Sequence, residues 1–383
     1  MKLSHIFTGD IRPGKLFLIP DAPINVMLDV TYSCNNRCLF CYNPESNFTV
    51  NGPTSSVILN KIVETVAMSG TKEILYLGGE PFSHPDMCTI LETGKKNGLF
   101  QRAVSNGSFF NSPEKSAEFA SAGLNEVGIS LHSAVERIHD QLSGRSGAFC
   151  AAFRGIENSL KAGLNTFVQY SPNNLNPSDD LFLLVELIFR NFGSDIGMYD
   201  INRLLPIGMG VSGNDLFLSA ESWFDLLVDA AELSCRGKEI RVELSPFCWI
   251  EKMVAEKGFP SEIKNEIFKI NRGCFMWIAQ LPLDPNGRIK FCPAGSAVGP
   301  SILDVDWPSF WKYGEEFENY RQFIWNKSCI DFEEKTVCPH FYSCLGGCKY
   351  SKGKHFQVDL YSQGVNFWRN KKTTKRGGHV GKK

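Results

Sequence analysis

Three cysteines open the chemical reading of this sequence. Cys34-Asn-Asn-Arg-Cys38-Leu-Phe-Cys41 is a C-x3-C-x2-C run directly after a strand-like segment, Asn25–Val30. Three thiolates that close within one loop hold three corners of a cubane iron–sulfur cluster and leave its fourth iron without a protein ligand. A structural zinc ion is the competing occupant; it takes four ligands, and no fourth Cys or His lies nearby. The second strand-like segment, Glu73–Leu77, runs into Gly78-Gly79-Glu80-Pro81. Two glycines let a ligand approach backbone N–H and C=O groups closely, and the Glu80 carboxylate accepts from an ammonium group. Placed at neighbouring strand ends, the two runs read as one binding site.

The other cysteines are unevenly placed. Of 13 in 383 residues, Cys274, Cys292, Cys329, Cys338, Cys344 and Cys348 crowd the last third, while Cys88, Cys150, Cys235 and Cys248 stand apart. Cys88, Cys150 and Cys235 fall in helical stretches and are expected as buried apolar fillers. The N-terminus carries Asp10, Arg12 and Lys15 where a signal peptide needs an unbroken apolar stretch. The best apolar run, Leu181 to Phe189, is short and interrupted by Glu186, so no bilayer span is expected. A cytoplasmic protein follows, and in a reducing cytosol clustered cysteines bind metal or do chemistry. Forty basic against 41 acidic side chains leave a charge of −1, which excludes a nucleic-acid footprint over the whole chain.

The elements that must hold these residues alternate. Strand candidates are Asn25–Val30, Glu73–Leu77, Gln101–Ser105, Glu126–Leu131, Thr166–Tyr170 and Met198–Leu204. Helix candidates are Ser55–Ser69, Met87–Asn97, Pro113–Ala122, Ala148–Ala162, Leu181–Phe192 and about Ser219–Arg236. Such βα alternation predicts an α/β fold with a parallel, barrel-like sheet, whose sites lie at the strand C-termini. From about Asn271 the alternation stops and the text turns Cys-, Gly- and Pro-rich; Asp284-Pro285-Asn286-Gly287 marks a hairpin between two short strands. A region this poor in core-forming periodicity depends on metal for stability.

At this point the sequence resembles the radical S-adenosylmethionine (radical SAM) enzymes. The resemblance covers residues 24–205 and rests on the cysteine loop with Phe40 before its third Cys, on Gly78-Gly79-Glu80-Pro81, on Ser105-Asn106-Gly107, and on Ser130-Leu131-His132 within GISLHSAVERIHDQLSGRSGAF. It implies a partial (βα)6 TIM-like barrel. It also implies a 4Fe–4S cluster on Cys34, Cys38 and Cys41 that donates one electron to S-adenosyl-L-methionine, yielding a 5′-deoxyadenosyl radical. Cofactor contacts implied by the family are Phe40, Gly78, Gly79, Glu80, Pro81, Asn106, Ser130 and His132. Many relatives carry Asp where His132 stands, and His132 serves equally well as a structural histidine.

The last third is similar to the family's SPASM-type extension, a small Cys-rich SPASM/twitch-like α+β domain. Cys274, twelve residues, Gly287, four residues and Cys292 fit its opening, and Cys338-x5-Cys344-x3-Cys348 fits most of its centre. The likeness implies one or two auxiliary 4Fe–4S clusters, with Cys274, Cys292 and Cys348 on the first and Cys338 and Cys344 on the second. Lys335 stands where the family has a partner of Cys338, no cysteine follows Cys348, and Cys329 is the nearest substitute. A zinc knuckle is the alternative occupant. The expected division is an N-terminal extension at 1–22, the barrel at 23–240, a bridge at 241–271, the SPASM-like domain at 272–355 and a basic tail at 356–383.

The resemblance implies oxidative modification of a ribosomally made peptide or protein, by crosslinking, backbone cleavage or a related maturation. Only about two dozen residues precede the first strand, too few for a fused leader-binding fold of roughly 80–90 residues. A separate leader-recognition protein, or direct docking at the barrel mouth, is therefore expected. A reductant such as flavodoxin or ferredoxin is a further expected partner. The rival readings are a small-molecule precursor of tetrapyrrole or aminoglycoside type, and a non-catalytic iron–sulfur electron-transfer protein.

Overall fold

Asn25–Thr31 (β1) is buried along almost its whole length, as a strand in a parallel sheet covered by helices must be. A computed structural model describes residues 20–43 and 53–317, apart from 177, 205–206, 212–213, 244, 277 and 316. After β1 the chain alternates through α1 (Ser56–Met68), β2 (Glu73–Gly78), α2 (Met87–Lys96), β3 (Phe100–Ser105), α3 (Pro113–Ala122) and β4 (Glu126–Ser130). It continues through α4 (Glu136–Ser143), α5 (Ala148–Lys161), β5 (Asn165–Tyr170), α6 (Asp180–Phe192), β6 (Tyr199–Ile201), α7 (Ala220–Cys235) and β7 (Ile240–Glu243). Then come α8 (Phe247–Lys257), α9 (Ser261–Ile270), β8 (Asn271–Arg272), β9 (Gln280–Leu283), β10 (Arg288–Lys290), β11 (Ala297–Ser301) and α10 (Trp307–Tyr313).

Local chemistry explains the helices. In α1 the buried Leu59, Ile62, Val63 and Val66 recur at helical spacing, and the Ser55 side chain caps the start by accepting from the Val57 N–H. Ser112 caps α3 in the same way, with Pro113 at its first position, where no N–H is needed.

Strands β1 to β8 lie side by side in chain order and pair in parallel, and β9, β10 and β11 extend the sheet beyond β1. This is the wall of a partial TIM-like barrel. It continues through β7 and β8 into the stretch expected as a bridge. The expected hairpin is present. Asp284 Oδ1 accepts from the Asn286 and Arg288 N–H groups at 2.9 and 2.7 Å, and Gly287 takes φ +75°. β9 pairs in parallel with β1, from Asn25 opposite Gln280 to Leu28 opposite Leu283. The opening of the Cys-rich region is therefore built onto the barrel's first strand.

Register shows which side chains line the barrel. Ser130, Gln169, Asp200 and Arg241 are successive partners across β4, β5, β6 and β7. Paired residues of parallel strands share a face, so these four form a polar row. Arg241 binds Asp200 through both carboxylate oxygens, at 2.6 and 2.8 Å, and Arg102 pairs with Glu126. No described helix is long and apolar enough to cross a membrane.

Several sequence expectations change. Cys150 and Cys235 are exposed and Cys88 is half-buried, so none is the buried filler expected. Each sits on a helix whose opposite face covers the sheet. Cys88 donates to Glu118 at 3.2 Å, whereas Cys248 on α8 is buried in the core. The second change is α4, absent from the helices expected. Its eight residues are mostly polar, and only Ile138, His139, Leu142 and Ser143 turn inward.

Candidate active site

The Cys34–Cys41 loop leaves β1 at the end of the sheet where β2, β3 and β4 also finish. Its neighbours hold it from several sides. The Arg37 and Leu39 N–H groups donate to the Ser143 and Leu142 carbonyls at the end of α4, both at 2.9 Å. There Gly144 is left-handed, and a Cβ on it would sit 2.3 Å from the Arg37 carbonyl oxygen. On the far side the Met209 N–H donates to the Cys41 carbonyl at 2.9 Å.

Around the thiols the donors suit sulfur. The Asn36 N–H points at Cys34 Sγ from 3.4 Å and Asn106 Nδ2 from 3.9 Å. Burial raises the Cys34 thiol to about 11, aided by the charges of Glu80 and Cys41 and opposed by the Asn36 N–H. Burial also pushes Cys38 up, with Cys41 and Cys34 adding to the effect. Burial keeps Cys34 and Cys38 protonated without metal, so binding iron must release their protons. Among the described residues no three His, Cys, Asp or Glu side chains converge tightly enough for a single ion. The reading of a multi-iron cluster over zinc rests on the loop's spacing, which supplies three thiolates where a structural zinc ion takes four ligands.

The glycines at the end of β2 have a packing reason besides ligand access. A Cβ on Gly78 would lie 2.2 Å from the Thr31 carbonyl oxygen, and one on Gly79 would lie 2.2 Å from that of Ser33. Their absence lets the Gly79 and Glu80 N–H groups donate to those same carbonyls at 2.7 and 2.8 Å. The exit of β1, which leads into the cysteine loop, is thereby locked to the exit of β2. Pro81 begins a 3₁₀ turn, Pro81–Ser83, anchored by Phe82 against the rings of Phe110 and Phe119 at 4.7 and 4.6 Å.

Glu80 joins β2 to β3. Its carboxylate is buried and accepts from Ser105 Oγ at 2.9 Å, the Asn106 N–H at 2.7 Å and the Phe82 N–H at 3.3 Å. A carboxylate offers about four lone-pair sites, so roughly one remains for a ligand's ammonium group. Burial raises the carboxyl to about 7, against the Asn106, Ser105 and Phe82 hydrogen bonds and the charge of Arg145. The folded chain keeps a proton that the unfolded chain releases between about pH 4.5 and 7. Stability of the metal-free protein should therefore fall as pH rises through that window. Glu80→Gln should flatten the fall in denaturant midpoints measured against pH, and an unchanged slope would assign the effect to another group.

Asn106 binds Asn35 through Nδ2 at 2.7 Å, tying β3 to the cysteine loop. Ser130 donates to Gln169 at 3.4 Å on the barrel face. Phe40 packs edge-on against His132, with ring centres 4.9 Å apart, and His132 stacks on His139 at 5.7 Å. The His132 N–H donates to His139 Nδ1 at 3.0 Å, while His132 Nδ1 is buried with no hydrogen-bond partner among the described residues. Burial, with His139 beside it, lowers His132 to about 3, so the ring is neutral.

Cys274 and Cys292 are half-buried. Burial holds the Tyr42 hydroxyl well above its ordinary value, and the charges of Asp29, Cys41 and Cys292 add to this. Cys329, Cys338, Cys344 and Cys348 lie outside the described residues. The sequence reading missed Asn36, Ser105, Gln169 and Arg145. All but Gln169 stood inside quoted motifs, where no short-range pattern marked them; the Arg145 guanidinium donates to Asn36 and Ser108.

Comparison with known proteins agrees with this geometry. The chain is 23% identical over 329 residues to an AdoMet-dependent heme synthase of Oleidesulfovibrio alaskensis, covering 84% of this chain and 81% of the relative. It is 24% identical over 347 residues to the mycofactocin maturase MftC of Mycobacterium ulcerans, covering 87% and 84%. Streptococcus suis SuiB bound to precursor peptide SuiA shares the fold, with a TM-score of 0.66, 15% identity and coverage of 89% and 76%. Residues 28–175, which hold the cysteine loop, the Gly78–Pro81 turn and the β3 and β4 ends, match the Radical SAM superfamily.

Proposed function

We propose that this radical SAM enzyme oxidatively modifies a ribosomally made peptide, with its 4Fe–4S cluster on Cys34, Cys38 and Cys41. The observation that supports this most is the hydrogen-bonded path from Glu80 through Asn106 to Cys34, which joins three strand ends into one rigid cradle. When bound and reduced, the cluster and S-adenosylmethionine supply a primary carbon radical that removes hydrogen from an unactivated carbon. The chain's own part is placement. Gly78, Gly79 and the remaining acceptor position of Glu80 receive the methionyl amine, and Pro81 fixes the turn. Asn106 and Ser130 face the ribose and methionyl groups, while Phe40 and the neutral His132 close the adenine side. The catalytic barrel begins at residue 23 and takes in the stretch expected as a bridge, through β8. Cys274, Cys292, Cys329, Cys338, Cys344 and Cys348, within 272–355, would hold one or two auxiliary clusters, whose chemistry there would be to accept an electron.

A peptide substrate is supported by the likeness to MftC and to the SuiB–SuiA complex. The heme synthase likeness favours a second reading, a tetrapyrrole precursor. Reconstituted, reduced enzyme should form 5′-deoxyadenosine from S-adenosylmethionine. It should also change the mass of a precursor peptide encoded beside its gene, in step with 5′-deoxyadenosine. Coupling to an iron coproporphyrin instead would establish the second reading, and absence of 5′-deoxyadenosine would overturn both.

A further inference from the structure

Between α4 and α5 the chain makes a tight turn whose side chains face the cysteine loop. Asp140 shapes it by accepting from the Gly147 and Phe149 N–H groups at 2.7 and 2.8 Å, which starts α5, while the Arg145 N–H donates to the Asp140 carbonyl at 3.1 Å. Arg145 projects from this turn as a two-armed bridge. Its Nε donates to Asn36 Oδ1 at 2.6 Å and its terminal nitrogen to Ser108 Oγ at 2.7 Å. Asn36 is itself buried, lies between Cys34 and Cys38, and aims its N–H at Cys34 Sγ. The Ser108 N–H donates to Asn106 Oδ1 at 3.0 Å, and the Asn106 N–H reaches Glu80. One guanidinium therefore spans from the loop that carries the thiols to the β3 end that carries the Glu80 contact.

The planar fork makes the span specific. Two donors in fixed relative orientation set the separation of Asn36 and Ser108, which a lysine ammonium on a flexible stem does not. We propose that Arg145 is a positioning residue of the cofactor site, fixing the Cys34–Cys41 loop in register with the Glu80–Asn106 strand ends. Arg145 hydrogen-bonds to none of the three thiols; it acts through Asn36 and Ser108. This rests on the function proposed above, in which the thiols hold the cluster and the strand ends hold S-adenosylmethionine.

The test uses the full, anaerobically reconstituted chain with Arg145→Ala, Arg145→Lys and, separately, Cys34→Ala. Arg145→Ala should keep its iron and far-UV circular dichroism but bind S-adenosylmethionine roughly 10- to 100-fold more weakly, the effect of losing charge-assisted hydrogen bonds. The electron paramagnetic resonance signal of its reduced cluster should no longer shift when S-adenosylmethionine is added. Millimolar guanidinium should restore part of both responses, and Arg145→Lys should not. Unchanged affinity and an unchanged spectral response in Arg145→Ala would overturn the proposal. So would loss of iron and secondary structure without guanidinium rescue, which would make Arg145 a brace of the fold alone. If Cys34→Ala keeps the full spectral response, the assignment of the loop fails instead, and the placement role falls with it.

Discussion

Replacing Cys34, Cys38 and Cys41 together by Ala should reduce 5′-deoxyadenosine formation to the detection limit while leaving the barrel folded. The fold should survive because the thiol side chains are small, and burial keeps Cys34 and Cys38 neutral without metal. Burial holds Cys34 at about 11, so removing it strands no charge, and a buried Cys packs much as a small hydrophobe does. The backbone hydrogen bonds that dock the loop, Arg37 to Ser143 and Leu39 to Leu142, involve none of the three side chains. Activity has no such reserve. On the proposed assignment the cluster is held by three thiolates from this one loop, which contains no further cysteine. Iron bound by the C-terminal cysteines should remain, at about four or eight atoms per chain for one or two auxiliary clusters. The checks are chromatography of the dithionite-reduced reaction, iron analysis and circular dichroism. Retained cleavage of S-adenosylmethionine would sink the assignment.

The second large effect is on stability. Lys290 on β10 reaches Asp29 on β1 at 2.5 Å, and both side chains are only 2% exposed. The same ammonium donates to the Pro293 carbonyl at 2.6 Å, next to Cys292. A buried ion pair adds little net stability by itself, since desolvation offsets much of the attraction, but removing one partner leaves the other charge buried. Lys290→Met should therefore cost about 3–5 kcal/mol in denaturant unfolding, and Asp29→Asn combined with Lys290→Met should recover most of it. A single variant within about 1 kcal/mol of the parent would mean that the pair is effectively solvated. The pair also fixes the Cys292 hairpin against the strand that feeds the first cysteine loop, so its rupture should loosen both cysteine regions together.

The linear text determined whatever depends on neighbours in the chain. The Cys34-x3-Cys38-x2-Cys41 spacing, the Gly78–Pro81 turn, the Asn286-Gly287 hairpin and most of the βα alternation are short-range patterns. Hydrophobic periodicity and turn chemistry act over a few residues, which is why they can be read there. The reading failed where that signal was thin. Helix α4 is short and polar, and β7 alternates charged residues that face the barrel rather than solvent. Cys150 and Cys235 were misplaced because the face of a helix that turns outward depends on what packs against it.

Only the tertiary structure decided the rest. It revealed that the two glycines clear the β1 exit, and that Glu80 spends three of its acceptor positions on β2 and β3. It brought Arg145 to Asn36 across 109 positions and Lys290 to Asp29 across 261. Such contacts leave no periodic trace, because closing a long loop costs little more entropy than closing a shorter one and places no demand on the residues between. What selects them is the low dielectric of the interior, where a buried charge or donor must find a partner wherever the chain brings one.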